Sequence, residues 1–248
     1  MEKSVNQTQA GMNQPGSEPS AIADRLAAVR ERIAVAAKRA GRSAEEVTLI
    51  AVSKTKSAQA VCEALAAGQK IFGENRVQEA LEKIPGVPPE AEWHLIGHLQ
   101  SNKARLIPGH FAMMHTLDSE KLARALDRQF AEAGRKLEVL IQLNWCEEPT
   151  KSGVRNQAEL ETLMEAALSS EALVLRGLMT IPDPALDEGQ TRTHFAEIRE
   201  LLEKMKSRFN PGERFSELSM GMSHDFQWAI EEGATMVRVG TAVFGGRQ

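Results

Sequence analysis

Two lysines follow the first apolar segment of the chain and could carry covalent chemistry. Residues 47–52 read VTLIAV, a β-branched pattern typical of a buried strand, and Lys54 and Lys56 come directly after it. Partial desolvation at such a strand end lowers the pKa of a lysine from its ordinary value of about 10.4. A neutral amine attacks carbonyl carbon, so the segment predicts a lysine that forms a Schiff base with an aldehyde; a solvated strand end is the alternative.

Glycine and hydroxyl residues near the C-terminus suit a phosphate group. They lie in two segments and comprise Ser219, Gly221, Ser223, Gly240 and Thr241. Glycine lets the backbone approach a phosphate closely, while hydroxyls and backbone N–H groups donate to its oxygens. We therefore expect a phosphate cradle, with plain glycine turns as the alternative. Ser223 is also placed to cap a helix that begins at His224.

Arg238 lies inside the apolar sequence Met-Val-Arg-Val-Gly at residues 236–240. A charged side chain in such a strand points inward and needs a partner. The partner could be a carboxylate on a neighbouring strand, or a ring nitrogen of a bound ligand. A permanently charged guanidinium beside a pyridine nitrogen would keep that ring unprotonated and weaken its use as an electron sink.

The remaining histidines and cysteines predict neither a metal site nor a disulfide. His94 and His98 are four residues apart, but Gly97 and the strand pattern place them on no common helix face. Cys62 and Cys146 are far apart without Cys-x-x-Cys spacing, which favours a packing role in a reducing compartment. We therefore expect a cytoplasmic protein without a metal.

The elements that position these residues alternate between short apolar strands and amphipathic helices. Eight strands are predicted, at residues 47–54, 70–74, 92–97, 112–117, 137–144, 173–181, 215–221 and 236–243. Seven helices are predicted between them, at residues 57–68, 76–84, 100–107, 119–133, 156–170, 188–208 and 224–232. This is the pattern of a single (β/α)8 TIM barrel, with the active site at the carboxyl ends of its strands. A doubly wound sheet is the alternative, but no Gly-x-Gly-x-x-Gly follows a strand.

The sequence before the barrel divides into a tail and a helix. Residues 1–19 are polar and lack periodicity, so we expect a disordered tail whose role the sequence does not indicate. We expect residues 20–248 to form the barrel domain. Its first element is an extra helix, capped by Ser20 and closing at Gly41.

Composition excludes two classes of partner. The net charge is −4 and no basic stripe is present, which argues against nucleic acid. No apolar stretch approaches the roughly 18 residues that span a bilayer, and the first residues do not form a signal-peptide core. No spare apolar stripe demands a second subunit, so a monomer is expected and a small ligand is the expected partner.

The chain resembles the pyridoxal phosphate homeostasis protein family, which is related to the N-terminal domain of alanine racemase. The resemblance runs in order from about residue 20 to the C-terminus. It rests on AVSKTK at 51–56, FGEN at 72–75, WHLIGHLQSNK at 93–103, RGLM at 176–179, SMGMS at 219–223 and RVGT at 238–241.

This resemblance implies a site for pyridoxal 5'-phosphate (PLP), held as a Schiff base on Lys54. It also implies Arg238 at the pyridine nitrogen, and Asn75 and Met222 near the ring. The residues implied around the phosphate are Ser219, Ser223, Gly240 and Thr241. Lys56 and Lys151 match lysines of the family pattern without an assigned role.

Three functions remain open at this point. The first is a non-catalytic protein that holds PLP, takes part in its homeostasis and delivers it to apo-enzymes. The second is a PLP-dependent amino-acid racemase of weak activity; the related racemases use a tyrosine as second base, and this chain has no tyrosine and ends shortly after the last strand. The third is a cofactor-free aldolase that uses Lys54 on a sugar phosphate, with Glu74 or Lys56 as acid or base.

Overall fold

Eight parallel strands, each followed by a helical segment, close into a barrel in the computed structural model, which describes residues 21–145 and 152–246. The strands are β1 (Thr48–Val52), β2 (Ile71–Glu74), β3 (Glu92–Leu95), β4 (Met113–Leu117), β5 (Leu137–Leu143), β6 (Leu173–Thr180), β7 (Glu217–Ser219) and β8 (Met236–Val239). They follow one another around the barrel in chain order, and β8 pairs back to β1. The predicted TIM barrel is confirmed.

The helices surround the strands in the predicted order. They are α1 (Ala21–Arg39), α2 (Ala58–Ala66), α3 (Val77–Lys83), α4 (Glu120–Glu132), α5 (Gln157–Leu168), α6 (Glu188–Phe209), α7 (Phe226–Glu231) and α8 (Thr241–Phe244). Short 3-10 helices cover Ala44–Glu46, Ile84–Gly86 and Ser101–Leu106, so the helix predicted at 100–107 is a 3-10 helix. Within the described residues, no helix is both long and apolar enough to span a bilayer.

Alternation along the strands separates two apolar regions. In β1, Leu49 and Ala51 pack with residues of the helices, whereas Ile50 belongs to a second cluster inside the barrel. That inner cluster comprises Ile50, Met113, Leu140, Met179 and Met236, with Ile71 and Ile181 packed against it. Each fully buried side chain of this size stabilises the fold by about 1.5–3 kcal/mol. The barrel interior is therefore a packed core, and the ligand site must lie at one of its ends.

The extra N-terminal helix is confirmed as α1. Its buried face repeats at helical spacing through Ile22, Leu26, Val29 and Ile33, and it packs against α7 and α8. Gly41 follows the helix with φ +69°, a conformation that glycine adopts readily at a helix C-terminus. The predicted cap Ser20 and the predicted tail at 1–19 lie outside the described residues.

Two predicted boundaries are wrong at the end of the barrel that matters most. The strand predicted at 236–243 ends at Val239, and Thr241 begins the short helix α8. The apolar residues of that segment are buried by the helix, with Val243 fully buried, so strand and helix satisfy the same pattern. Ser223 does not cap α7, because that helix begins at Phe226.

Candidate functional site

A cavity of about 280 Å³ opens where the carboxyl ends of the strands meet their loops. It brings together Lys54, Asn75, Met222, Ser223, Arg238, Gly240 and Thr241. These are seven of the eight residues expected from the strand-end pattern and from the family resemblance, which alone implied Asn75 and Met222. The eighth, Ser219, is fully buried and does not line the cavity, but its hydroxyl accepts a hydrogen bond from Arg238.

The cavity also has an apolar wall that sequence reasoning missed. Val52, Ile96 and Ile181 line it, together with His224. All three apolar residues stand at or just after the end of a strand, where the side chain can face the mouth of the barrel. The search for polar residues at strand ends missed these apolar residues. The alternation of side chains along each strand could have identified them.

The turn that carries Lys54 is braced from below by a buried ion pair. Lys83 Nζ lies 2.5 Å from Glu74 Oε1 and donates to the Ser53 carbonyl at 2.8 Å. The Ser53 hydroxyl donates to the same Glu74 oxygen at 2.7 Å. Burial raises the pKa of Glu74, while its bonds with Lys83 and Ser53 act in the opposite direction. This network fixes the backbone immediately before Lys54.

The residue after Lys54 is held in a strained conformation. Thr55 has φ +63°, which is rare for a β-branched side chain. Its backbone N–H donates to Glu79, and the Glu79 carboxylate also lies 3.6 Å from Lys83 Nζ. Strain of this kind persists only where neighbouring contacts impose it. The contacts of Ser53 and Thr55 therefore fix the backbone on both sides of Lys54 and hold its side chain at the cavity.

Lys54 and Lys56 have different environments although they are two residues apart. Lys54 is exposed at the cavity, and its amine has no hydrogen-bond or ion-pair partner among the described residues. The expected desolvation of this lysine is thus wrong. Lys56 Nζ donates to the carbonyls of Gly245 at 3.3 Å and Gly246 at 3.0 Å. Lys56 therefore holds the segment that follows α8, which leaves Lys54 as the available nucleophile.

The segment that follows β7 is hydrogen-bonded to β8 and to the residue after it. The Gly221 carbonyl accepts from the Arg238 N–H at 3.0 Å, and the Ser223 hydroxyl accepts from the Gly240 N–H at 3.3 Å. Gly221 has φ +92°, and a Cβ there would lie 2.6 Å from the Cβ of Ala229, so only glycine fits. The pair of loops and the start of α8 form the kind of surface that binds phosphate in other barrels.

Arg238 is only 4% exposed and is fixed by two hydrogen bonds. Its Nη1 donates to Ser219 Oγ at 2.7 Å and its Nη2 to the Thr180 carbonyl at 2.9 Å. Burial lowers the pKa of Arg238 to about 10, and the charge of Asp225 opposes that shift. The guanidinium thus stays charged at neutral pH. No carboxylate in the described part of the chain forms an ion pair with it, so the salt-bridge alternative lacks support.

The other residues considered from the sequence lie apart from one another. His94 is buried inside the barrel, whereas His98 is exposed and bonds Asp118 at 2.9 Å and Ser152 at 3.0 Å. Cys62 is a free thiol in α2. Cys146 and Lys151 lie outside the described residues.

The chain is similar to known proteins over almost its whole length. The family model of the alanine racemase N-terminal domain matches residues 25–248. A pyridoxal phosphate homeostasis protein of Escherichia coli is 47% identical over 234 residues, which cover 91% of this chain and 97% of that protein. PipY of Synechococcus elongatus, solved with PLP bound, is 40% identical, with a TM-score of 0.81 over 90% of this chain and all of that one.

More distant structures share the fold alone. Alanine racemase of Corynebacterium glutamicum is 20% identical, with a TM-score of 0.64 over 90% of this chain and 62% of the racemase. The racemase is therefore longer than the barrel that the two proteins have in common.

Proposed function

Since the chain belongs to the pyridoxal phosphate homeostasis protein family, we propose that it binds PLP in the cavity described above and takes part in PLP homeostasis. One observation carries the proposal: a free lysine amine, a pair of glycine and hydroxyl loops, and a buried guanidinium meet in one cavity. PLP presents an aldehyde, a phosphate and a ring nitrogen. The three kinds of protein group match these three features, so the residues fit the cofactor.

Each residue then has a distinct task. Lys54 would hold the aldehyde as a Schiff base, and Arg238 would meet the ring nitrogen. Ser223, Gly240 and Thr241 would hold the phosphate, supported by the contacts between the two loops.

The ring and its surroundings complete the assignment. Asn75 and Met222 line the cavity and are assigned to the ring. Ser219 is proposed to hold Arg238 and not the phosphate, because its buried hydroxyl oxygen accepts a hydrogen bond from the guanidinium. PLP supplies an electron sink when it is bound, and a charged guanidinium at its ring nitrogen weakens that sink.

Holding without turnover is part of the proposal. The chain contains no tyrosine to act as the second base of a racemase, and its lysine is exposed to water. The test is to incubate the PLP-loaded protein with single enantiomers of amino acids and follow optical rotation. Racemisation that is lost in Lys54→Ala would favour the alternative, a weak racemase.

Borohydride trapping tests the binding itself. The purified protein is reconstituted with PLP, its visible spectrum is recorded, and the reduced adduct is mapped by mass spectrometry in wild type, Lys54→Ala and Lys56→Ala. We expect a yellow protein with the adduct on Lys54, lost in Lys54→Ala and retained in Lys56→Ala. A protein that stays colourless with PLP would refute the proposal and return attention to a sugar-phosphate aldolase.

Delivery of PLP to apo-enzymes, a monomeric state and a cytoplasmic location extend the same proposal. Among the described residues, Val35 and Leu168 are the large apolar side chains that are exposed, and they lie on different helices, which supports a monomer. The free thiol of Cys62 is consistent with a reducing compartment. Light scattering measures the mass, and the rate at which an apo-enzyme regains activity from the loaded protein, compared with free PLP, measures delivery.

A further inference from the structure

A chain of hydrogen bonds runs from the cavity through the interior of the barrel. Arg238 Nη1 lies 2.7 Å from Ser219 Oγ, which lies 2.8 Å from His115 Nδ1. His115 Nε2 lies 3.0 Å from His94 Nδ1, and His94 Nε2 lies 2.9 Å from Glu92 Oε1. Ser219 and His115 belong to β7 and β4, which are not neighbours, so their bond crosses the interior. Glu92 opens β3, at the end of the barrel opposite the cavity.

The chemistry of the two end groups fixes the direction of these bonds. A guanidinium can only donate, so the Ser219 oxygen accepts from Arg238, whereas the Glu92 carboxylate can only accept and so orders the bonds of two neutral imidazoles from the other end. In that order the Ser219 hydroxyl donates its hydrogen bond to His115 Nδ1. His115 then carries its proton on Nε2 and donates to His94 Nδ1. His94 in turn donates from Nε2 to the Glu92 carboxylate, which can only accept. Every group in the chain is satisfied with both imidazoles neutral.

The surroundings of each end agree with this direction. His115 is fully buried, and burial, with His94 and Arg238 nearby, holds its pKa well below the ordinary value. The hydrogen bond from His94 lowers the pKa of Glu92, which therefore ends the chain as a carboxylate.

We propose that His115 is a positioning residue for Arg238, acting through Ser219, and that His94 and Glu92 fix its tautomer. The inference rests on the proposed function, because it concerns how Arg238 meets the ring nitrogen of PLP. By accepting the hydrogen bond of the Ser219 hydroxyl, His115 keeps a lone pair of that oxygen turned toward the guanidinium. The Thr180 carbonyl holds the second nitrogen, so Arg238 is immobilised before the ligand arrives.

The tautomers can be tested in the protein without PLP. Nitrogen-15 NMR of the histidine rings at neutral pH should show Nδ1 without a proton and Nε2 with one, for both His94 and His115. A proton on His115 Nδ1 would mean that the chain runs in reverse and would overturn the proposal. This measurement needs no cofactor, so its result does not depend on whether the protein binds PLP.

The effect on Arg238 can be tested with PLP and with its carbocyclic analogue, in which C–H replaces the ring nitrogen. We expect His115→Phe to raise the dissociation constant of PLP about tenfold, the lower end of the roughly 10–100-fold seen for partners that orient metal ligands. Binding of the analogue should not change, because it lacks the nitrogen that Arg238 faces. His115→Asn keeps an acceptor for Ser219 and should stay within about twofold of wild type.

Three results would overturn the proposal: unchanged PLP binding in His115→Phe, equal losses for PLP and the analogue, or an equal loss in His115→Asn. Ser219→Ala breaks the same chain of hydrogen bonds with a smaller change in volume, and it replaces His115→Phe in the test if that variant does not fold. It should raise the dissociation constant of PLP about tenfold and leave binding of the analogue unchanged. A wild-type protein that binds neither compound would instead refute the proposed function, while the tautomer result would still hold.

Discussion

Replacing Lys83 with methionine should destabilise the turn that carries Lys54. The side chains of Lys83 and Glu74 are 5% and 0% exposed, and their charged atoms lie 2.5 Å apart. Removing one partner of a buried pair costs about 3–5 kcal/mol. We expect about 3 kcal/mol, the lower end, because burial already raises the pKa of Glu74 and the carboxyl can take up a proton. Ser53 also loses the donor to its carbonyl.

Equilibrium urea unfolding of four proteins measures this coupling: wild type, Lys83→Met, Glu74→Gln and the double variant. The double variant buries no charge at this site, so its cost should fall below the sum of the single costs by at least about 1 kcal/mol. Arg124→Met is the control, since it breaks an exposed pair with Glu120 and should cost at most about 0.5 kcal/mol.

The same variants test whether the network serves Lys54. At a fixed PLP concentration, the yield of reduced adduct on Lys54 should fall in Lys83→Met and remain unchanged in Arg124→Met. A loss of stability below about 1 kcal/mol for Lys83→Met, or costs that add within about 0.5 kcal/mol, would refute the reasoning.

Two further predictions concern stability, each measured by urea unfolding. Gly97→Ala should destabilise the fold by about 1–3 kcal/mol, because its Cβ would lie 2.2 Å from the Asn75 carbonyl oxygen, whereas Gly189→Ala, at an open helical position, should stabilise it by about 0.5–1 kcal/mol; equal effects would contradict this. Burial lowers the pKa of His115, so below about pH 6.5 the unfolded chain binds a proton at this histidine that the folded chain does not bind. The free energy of unfolding should therefore fall by up to about 1.4 kcal/mol for each unit by which the pH is lowered. His115→Asn should flatten that slope, and a wild-type stability independent of pH would contradict the prediction.

The barrel could be predicted because each strand is short, apolar and followed by an amphipathic segment. That pattern depends on local sequence, and all eight strands appear near their predicted places. The end of β8 could not be located in the same way. Residues after Val239 are small or apolar, and their burial in α8 depends on the packing of that helix against α1. Local sequence does not contain this contact.

Most of the candidate site could also be predicted, because parallel strands bring their carboxyl ends to one rim. The partners of Arg238 could not. Ser219 and His115 come from strands β7 and β4, which meet across the interior only after the barrel closes. Glu74 and Lys83 are likewise joined by packing beneath the Lys54 turn. Long-range polar contacts of this kind leave little trace in the spacing of residues along the chain.

The two cations of the site are held in opposite ways, and the contrast agrees with the proposal that the protein holds PLP without turnover. Arg238 is buried and fixed by two hydrogen bonds, so it can orient a ring from a rigid wall. Lys54 is exposed on a braced turn, with its amine open to solvent. An enzyme that protects a reactive intermediate excludes water from such a lysine. A protein proposed to bind PLP and release it again needs a rigid contact with the ring and a Schiff base that water can hydrolyse.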